Sequence, residues 1–234
     1  MFFPERIKSI KDNDKVLEIG PGATPFHRSD VFLELNYDSD TDRIAQSGHT
    51  GILKTDKQII YYNGKEFPFK DDEFDYVICS HVLEHVDDIP LFINEIQRIS
   101  KKGYLEFPNI YYDYLHNIEE HLNMLMVKDN QILWCKKIKT PITNLNNFTD
   151  FFRTLQRNNY RFQDEINNLW HQGFEWENNI NIKQVENWQD LTYSMAELEL
   201  IINPVKRYSA PNKVLGIKAS IKSLLKAIKR KFKK

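Results

Sequence analysis

Short apolar runs alternate with polar segments over the first half of the chain, which is the pattern of an alternating strand and helix fold. A helix is predicted from about residue 89 to 99, because its apolar positions recur every three or four residues, and Asp87 and Asp88 suit its amino end. Strands that alternate with helices favour a parallel sheet with covered faces, so we predict an α/β, Rossmann-like, mostly parallel sheet. The five predicted strands are Val16–Ile19, Val31–Leu35, Ile59–Tyr62, Phe74–Ser80 and Gly103–Phe107.

The pattern changes after Pro108, where strands and helices no longer alternate. Two antiparallel hairpins are predicted here, one from residues 124–127 with 132–135 and one from 174–176 with 180–182. We therefore divide the chain into three parts. They are a Rossmann-like core at 1–108, an α+β elaboration of the same domain at 109–203, and a carboxyl-terminal tail at 204–234.

The tail has a basic, amphipathic pattern. Its apolar residues, from Val214 to Phe232, fall on one narrow face of a helix, and lysines flank that face. Residues 1–199 hold 21 basic and all 33 acidic residues, a net charge of −12, whereas the last 35 residues carry +11. Two interpretations stay open: residues 213–234 bind an anionic membrane surface, or the helix packs on the acidic body. An acidic body argues against nucleic acid as a partner.

Composition places the chain among ordinary globular proteins, with 41% hydrophobic and 28% charged residues. The two cysteines, Cys79 and Cys135, are too few and too far apart for a thiolate metal site, and they fit a reducing compartment. No run approaches the ~20 apolar residues of a membrane span, and the first residues lack the pattern of a signal peptide. We therefore expect a cytoplasmic protein, with peripheral membrane attachment only through the tail.

The first predicted strand ends in Glu18-Ile19-Gly20-Pro21-Gly22, where a ligand would lie at the carboxyl edge of the sheet. A tight turn without a ligand is the alternative. NAD and FAD are disfavoured, because Pro25 replaces the third glycine of the dinucleotide fingerprint and about eight residues leave no room for a crossover helix before Val31. A nucleoside without that pyrophosphate remains. Glu34 would bind ribose hydroxyls and Asn63-Gly64 the adenine, against the alternatives of a solvent-facing carboxylate and a plain turn.

Three ordered motifs resemble those of the class I S-adenosylmethionine-dependent methyltransferases. The motifs are Glu18-x-Gly20-x-Gly22, Pro68-Phe69-x-Asp71-x-x-Phe74-Asp75-x-Val77 and Val82-Leu83-Glu84-His85. The resemblance covers roughly residues 14–108. It is to the small-molecule branch and, more loosely, to bacterial members of glycan and cell-envelope biosynthesis.

The resemblance implies S-adenosyl-L-methionine as the cofactor. It places Glu18, Gly20 and Gly22 at the methionine part and the ribose turn, and Glu34 at the ribose. Asn63 stands where the family usually has Asp, next to Gly64, and Ser80 and His81 would line the methionine. The implied activity is methyl transfer to a small-molecule or glycan-precursor acceptor, by O-methylation of a hydroxyl. The elaboration at 109–203 would bind this acceptor. The alternative is a non-catalytic binding module with the same fold.

Methyl transfer depends mainly on alignment, with removal of the acceptor's proton as a second requirement. His81 is the candidate base, because it follows a strand beside the implied methyl donor; the alternative is that it orders the loop or contacts the cofactor. We expect no metal site. The spacing of His116 and His121 does not put both side chains on one helical face, and Glu84-His85 is expected to be structural.

Overall fold

The fold is taken from a computed structural model, which describes residues 3–39, 41–43, 53–142, 170–194 and 196–197. The chain divides into two compact units, Met1–Thr192 and Tyr193–Lys234. Almost all of the second unit, including the predicted helix of the tail, lies outside the described residues. The architecture below is that of the first unit.

The described strands are β1 (Val16–Ile19), β2 (Val31–Leu35), β3 (Gln58–Tyr62), β4 (Tyr76–Ser80), β5 (Lys102–Pro108), β6 (Asn123–Lys128), β7 (Gln131–Lys136), β8 (His171–Glu177) and β9 (Ile182–Gln184). The main sheet has six of these strands in the order β3-β2-β1-β4-β5-β8, and a second sheet has the order β6-β7-β9. Strands β1 to β5 run parallel, while β8 is antiparallel to β5, so the predicted Rossmann-like and mostly parallel sheet is confirmed.

Two α-helices and four short 3₁₀ turns are described: α1 (Ile89–Ile99), α2 (Ile110–His116), Pro4–Arg6, Leu83–His85, Lys137–Lys139 and Trp188–Leu191. Helix α1 begins after Asp88, whose side chain accepts a hydrogen bond from the backbone of Leu91, and α2 begins after Asn109 in the same way. The apolar face of α1 packs in the core with β1, β4 and β5, which confirms the predicted helix.

No helix connects β1 to β2, as the sequence predicts. Residues 20–30 form turns, and the backbone N–H of Gly20 donates to the carbonyl oxygen of Leu33 at 2.9 Å. The buried carboxylate of Glu18 accepts hydrogen bonds from the backbone of Phe26 at 2.8 Å and from Oγ of Ser29 at 2.6 Å. These bonds satisfy a carboxylate that burial would otherwise destabilise, and they hold the connection in place without a helix.

The first predicted hairpin is confirmed as β6 and β7. Asp129 and Asn130 connect them with positive φ angles of 49° and 57°, which suit a two-residue turn between twisted strands. The second predicted hairpin is wrong. Strand β8 pairs with β5 in the main sheet, and β9 pairs in parallel with β7. Each thus takes a hydrogen-bonding edge that a distant strand leaves open, which local sequence does not reveal.

Candidate active site

A cavity of about 1270 Å³ lies at the carboxyl edge of the main sheet. The chain passes from β1 outward to β3 and then returns to β4 on the other side of β1, so the strand order reverses between β1 and β4. Ligands of open α/β sheets bind outside the strand ends at such a reversal. Six of the eight predicted site residues line this cavity: Gly20, Gly22, Glu34, Gly64, Ser80 and His81.

Glu18 and Asn63 do not line the cavity. The carboxylate of Glu18 accepts its hydrogen bonds from the β1–β2 connection, the segment that contains Gly20 and Gly22. Exposed Asn63 accepts a hydrogen bond from the backbone of Lys65 at 3.2 Å, as in a plain turn. Glu18 is therefore placed to shape the site, and Asn63 to shape the turn that presents Gly64.

Gly20 and Gly22 both adopt left-handed backbone conformations, with φ angles of 61° and 58°. A β-carbon on Gly20 would lie 2.6 Å from Cγ2 of Val82, a distance that side-chain carbons do not tolerate. From the sequence, we expect a glycine here because a ligand would lie close to the backbone. In the structure, Gly20 is also required by the packing of the β1 turn against the turn that follows β4.

The carboxylate of Glu34 lies half-buried at the end of β2, at the cavity wall. Burial raises its pKa, and the backbone hydrogen bond from Leu35 and the charge of Arg43 only partly oppose this effect. A carboxylate held in a partly dry wall can accept hydrogen bonds from two adjacent hydroxyl groups of a ligand. Its position and chemistry fit the predicted contact with a ribose.

His81 follows β4 in a left-handed conformation with a φ of 58°, which is uncommon for a residue with a side chain. Its Nδ1 lies 3.4 Å from Oε1 of Glu84, and its Nε2 lies 3.4 Å from Oε1 of Glu106. Burial would lower the pKa of His81, but contacts with Glu106 and Glu84 raise it overall. Glu106 also accepts a hydrogen bond from Oγ of Ser80 at 2.8 Å. Both ring nitrogens of His81 thus face carboxylates.

Glu84, His85 and His121 also line the cavity, and sequence reasoning missed them as a group. Among the described residues they form a cluster whose ligand atoms all lie within 4.8 Å of one another, close enough for a metal ion. From sequence spacing, we expect no metal site because His121 is considered only as a partner of His116. In the fold, His121 instead lies beside the turn after β4. The available signal was the Glu84-His85 pair at the carboxyl end of a strand.

The cluster is electrostatically coupled. Burial would raise the pKa of Glu84, but the contact with His81 and the charges of His81, His85 and His121 lower it to about 2. Burial would lower the pKa of His121, but the charge and hydrogen bond of Asp113 raise it. Glu84 is therefore an anion at neutral pH, although its side chain is only 1% exposed.

Residues 34–106 match the family model of the methyltransferase domain. The match identifies a methyltransferase domain within this segment, which is about a third of the chain. The matched segment runs from Glu34 to Glu106 and includes the turn with Ser80 and His81. The glycines of the first turn precede it, and the fold brings them to the same cavity.

A curated protein similar to this chain is an uncharacterised protein of Methanocaldococcus jannaschii. It is 29% identical over 100 residues, which is 42% of this chain and 45% of the relative. The chain thus spans about half the length of this relative.

Similar solved structures include a putative methyltransferase of Haloferax volcanii, in complex with a methyltransferase activator. It is 19% identical, the overlap covers 50% of this chain and 54% of that one, and the TM-score is 0.37. A putative methyltransferase of Bacillus halodurans is 18% identical, with 50% and 59% covered and a TM-score of 0.35. At these TM-scores the overlap assigns no activity to the chain.

The domain family implies S-adenosyl-L-methionine as the cofactor. The residues present fit that group: a carboxylate at the end of β2, left-handed glycines after β1, and a polar wall after β4 all meet in one cavity. In the part of the chain that the structure describes, no helix is both long and apolar enough to cross a membrane.

Proposed function

We propose that this protein is an S-adenosyl-L-methionine-dependent methyltransferase that methylates a hydroxyl group of a small molecule or glycan precursor. The observation that carries the proposal is the single cavity shared by Gly20, Gly22, Glu34, Gly64, Ser80 and His81. Ligand pockets commonly measure about 300–1,000 Å³. The cavity exceeds that range, which supports room for a cofactor and a second molecule.

In this proposal Glu34 accepts hydrogen bonds from ribose hydroxyls, and the turn at Gly64 borders the adenine. The turns at Gly20–Gly22 and Ser80–His81 hold the amino acid part. When bound, S-adenosyl-L-methionine supplies a methyl group on a positively charged sulfur that is already activated for transfer. The protein then has to align the acceptor and receive its proton.

His81 remains the candidate base, but its surroundings favour a second role. Each of its ring nitrogens lies 3.4 Å from a buried carboxylate, so accepting a proton requires one of these contacts to open. A ring fixed on both sides supports the cavity wall more directly than it abstracts a proton. We therefore propose His81 first as a residue that shapes the cofactor site.

Calorimetric titration of the purified protein with S-adenosylhomocysteine tests the cofactor, with NAD as the control. We expect a dissociation constant of about 1–100 μM for the first ligand and no binding of the second. Absence of S-adenosylhomocysteine binding would overturn the proposal. Binding of NAD alone would replace it with a dinucleotide-dependent function.

Turnover is tested by incubating the protein with S-adenosyl-L-methionine and a panel of sugars, nucleotide sugars and other hydroxyl compounds. Mass spectrometry then measures S-adenosylhomocysteine and the methylated product. Product formation with a hydroxyl acceptor supports O-methylation. If the protein binds the cofactor and methylates no member of the panel, the result favours the non-catalytic binding module.

The tail supports a proposal about location that rests on sequence alone, since residues 198–234 lie outside the described ones. We propose that residues 213–234 attach the protein to the anionic inner face of the membrane in the cytoplasm. Co-sedimentation with vesicles of anionic lipid tests this, with neutral vesicles and a variant lacking 213–234 as controls. Equal sedimentation of the full chain and the shortened chain would contradict it.

A further inference from the structure

Three potential metal ligands meet at one side of the cavity. Glu84 and His85 belong to the 3₁₀ turn after β4, and His121 lies in the segment between α2 and β6. Their ligand atoms lie within 4.8 Å of one another. If the three ligand atoms were all 4.8 Å apart, an ion at the centre of their triangle would lie about 2.8 Å from each of them. Bonds from zinc to nitrogen or oxygen measure about 2.0–2.2 Å. Inward movements of less than about 1 Å would complete a site.

Hydrogen bonds at Nδ1 of His85 and His121 leave Nε2 of each imidazole available to a metal ion. Nδ1 of His85 lies 3.0 Å from the carbonyl oxygen of Glu120, which can only accept, so this nitrogen carries the proton. Nδ1 of His121 lies 2.5 Å from Oδ1 of Asp113, which is fully buried. In the neutral ring each Nε2 then keeps its lone pair. A partner oxygen on the other ring nitrogen is the usual support of a histidine that binds a metal.

The buried carboxylate of Glu84 is a second feature that indicates a bound cation, independently of the two imidazoles. Its side chain is 1% exposed, and neither oxygen accepts a well-formed hydrogen bond from the described residues. Nδ1 of His81 lies 3.4 Å away and Nε2 of His85 lies 4.0 Å away, both longer than a good hydrogen bond. Both carboxylate oxygens are thus buried without a direct hydrogen bond, and a metal ion bound to them would supply the partner that each lacks.

The backbone fixes the two parts of the cluster against each other. The N–H of Leu122 donates to the carbonyl oxygen of Glu84 at 2.8 Å, and Nδ2 of Asn123 donates to the carbonyl oxygen of Val86 at 2.7 Å. The residue after His121 is thus bonded to the residue before His85. Such direct connection limits the cost of organising the ligands when an ion binds.

We propose that Glu84, His85 and His121 bind one divalent transition-metal ion, with zinc as the reference ion, whose remaining coordination positions open into the cavity. Two imidazoles and one carboxylate form the donor set of zinc sites that keep a position for a further ligand. Imidazole ligands also favour zinc, iron or nickel over magnesium and calcium, which prefer oxygen.

The bound ion would orient the acceptor. A hydroxyl oxygen that coordinates the ion is fixed in the cavity, and it loses its proton more easily than in water. This role rests on the proposed methyltransferase function, whereas the metal site does not. If the ion orients the acceptor, the acceptor must carry a hydroxyl group, or two adjacent oxygen atoms, that can reach the ion.

Tag-free full-length protein, stripped with a chelator, is titrated with zinc chloride in a calorimeter. We expect one equivalent to bind with a dissociation constant at or below about 1 μM. Glu84→Gln and His121→Gln should weaken binding by at least about 100-fold, and Asp113→Asn by about 10–100-fold through loss of the support on His121. His27→Gln is the matched control, because His27 is an exposed histidine outside the cluster, and it should bind as the parent protein does.

Cobalt(II) absorption of the parent protein provides a readout that does not depend on the variants folding. Nitrogen and oxygen ligands give weak visible bands, and thiolate ligands add an intense band in the near ultraviolet. A thiolate band, a zinc affinity weaker than about 100 μM, or equal affinity in folded Glu84→Gln and parent protein would overturn the proposal.

Titration of the zinc-loaded and stripped protein with S-adenosylhomocysteine separates the two proposals. Cofactor binding without zinc binding refutes the metal site and leaves the methyltransferase proposal intact. Zinc binding without cofactor binding retains the metal site and refutes the acceptor role. If both bind, zinc removal should leave the S-adenosylhomocysteine affinity within about twofold and abolish turnover of a hydroxyl acceptor.

Discussion

Gly20 packs closely against Val82, and this contact holds together the two turns on either side of the strand reversal. The two residues belong to different turns, after β1 and after β4, yet a β-carbon on Gly20 would lie 2.6 Å from Cγ2 of Val82. Gly20 also has a φ of 61°. Both turns line the cavity, so their close packing sets the shape of the candidate cofactor site.

Gly20→Ala should destabilise the protein by about 2 kcal/mol or more, because it combines overpacking against Val82 with an alanine in a left-handed conformation. Val82→Ala should restore part of the loss, giving a coupling energy of about 1 kcal/mol in a double-mutant cycle. Urea unfolding of the four proteins measures both quantities. Simple additivity of the two single substitutions would contradict the packing explanation.

Glu34→Gln should weaken S-adenosylhomocysteine binding by about 1 kcal/mol or more, roughly fivefold or greater, because the ligand hydroxyls lose a charged acceptor. Calorimetry measures the change. Glu177→Gln is the matched control, since Glu177 is an exposed carboxylate at the far end of β8, and its affinity should equal that of the parent protein. Unchanged binding in Glu34→Gln would remove Glu34 from the cofactor site.

Arg98→Lys should destabilise the fold by about 1–3 kcal/mol, because lysine cannot reproduce the fork of a guanidinium. Arg98 donates to the carbonyl oxygens of Phe67 and Phe69 at 3.0 and 2.7 Å, and to both carboxylate oxygens of Glu95. Lys101→Gln is the control, because Lys101 is 57% exposed and its ion pair should contribute less than about 0.5 kcal/mol. Urea unfolding that gives equal losses for the two variants would refute the expected role of Arg98.

Acid should remove the contribution of the Glu95 carboxylate to the free energy of unfolding. The hydrogen bond from Arg98 lowers the pKa of Glu95 below its ordinary value of 4.5, against the opposing effect of burial. A lowered pKa means that the stabilisation is complete above 4.5 and is lost as the pH falls through the folded-state pKa. The difference in unfolding free energy between the parent protein and Glu95→Gln should therefore be constant near neutral pH and shrink in acid. A difference that persists at about pH 2 would contradict this account.

Much of the main sheet could be predicted from local sequence. Buried strands such as Val16–Ile19 are mostly apolar, and the apolar spacing of α1 is that of a helix with one buried face. Part of the site followed as well. Residues at or directly after the carboxyl ends of parallel strands, such as Glu34, Gly20 and His81, meet at one sheet edge, and they line the cavity.

Other relationships depended on residues far apart in the chain. Strand β8 joins β5 across more than 60 residues, and the second predicted hairpin therefore does not form. Glu18 lies within β1 and Asn63 follows β3, as predicted, but hydrogen bonds direct the side chain of Glu18 to the β1–β2 connection and that of Asn63 to the backbone of its own turn, not into the cavity. A motif gives residue type and spacing, and it does not give the direction of a side chain.

The sequence by itself determined strands β1 to β7 and helix α1, because burial of apolar side chains follows the period of each strand or helix along the chain. It also determined the cavity edge, since parallel strands end on the same side. Only the tertiary structure decided that His121 meets Glu84 and His85, and that Gly20 meets Val82. Those contacts arise where separate segments satisfy each other's backbone hydrogen bonds and fill shared space, and no local periodicity encodes that choice.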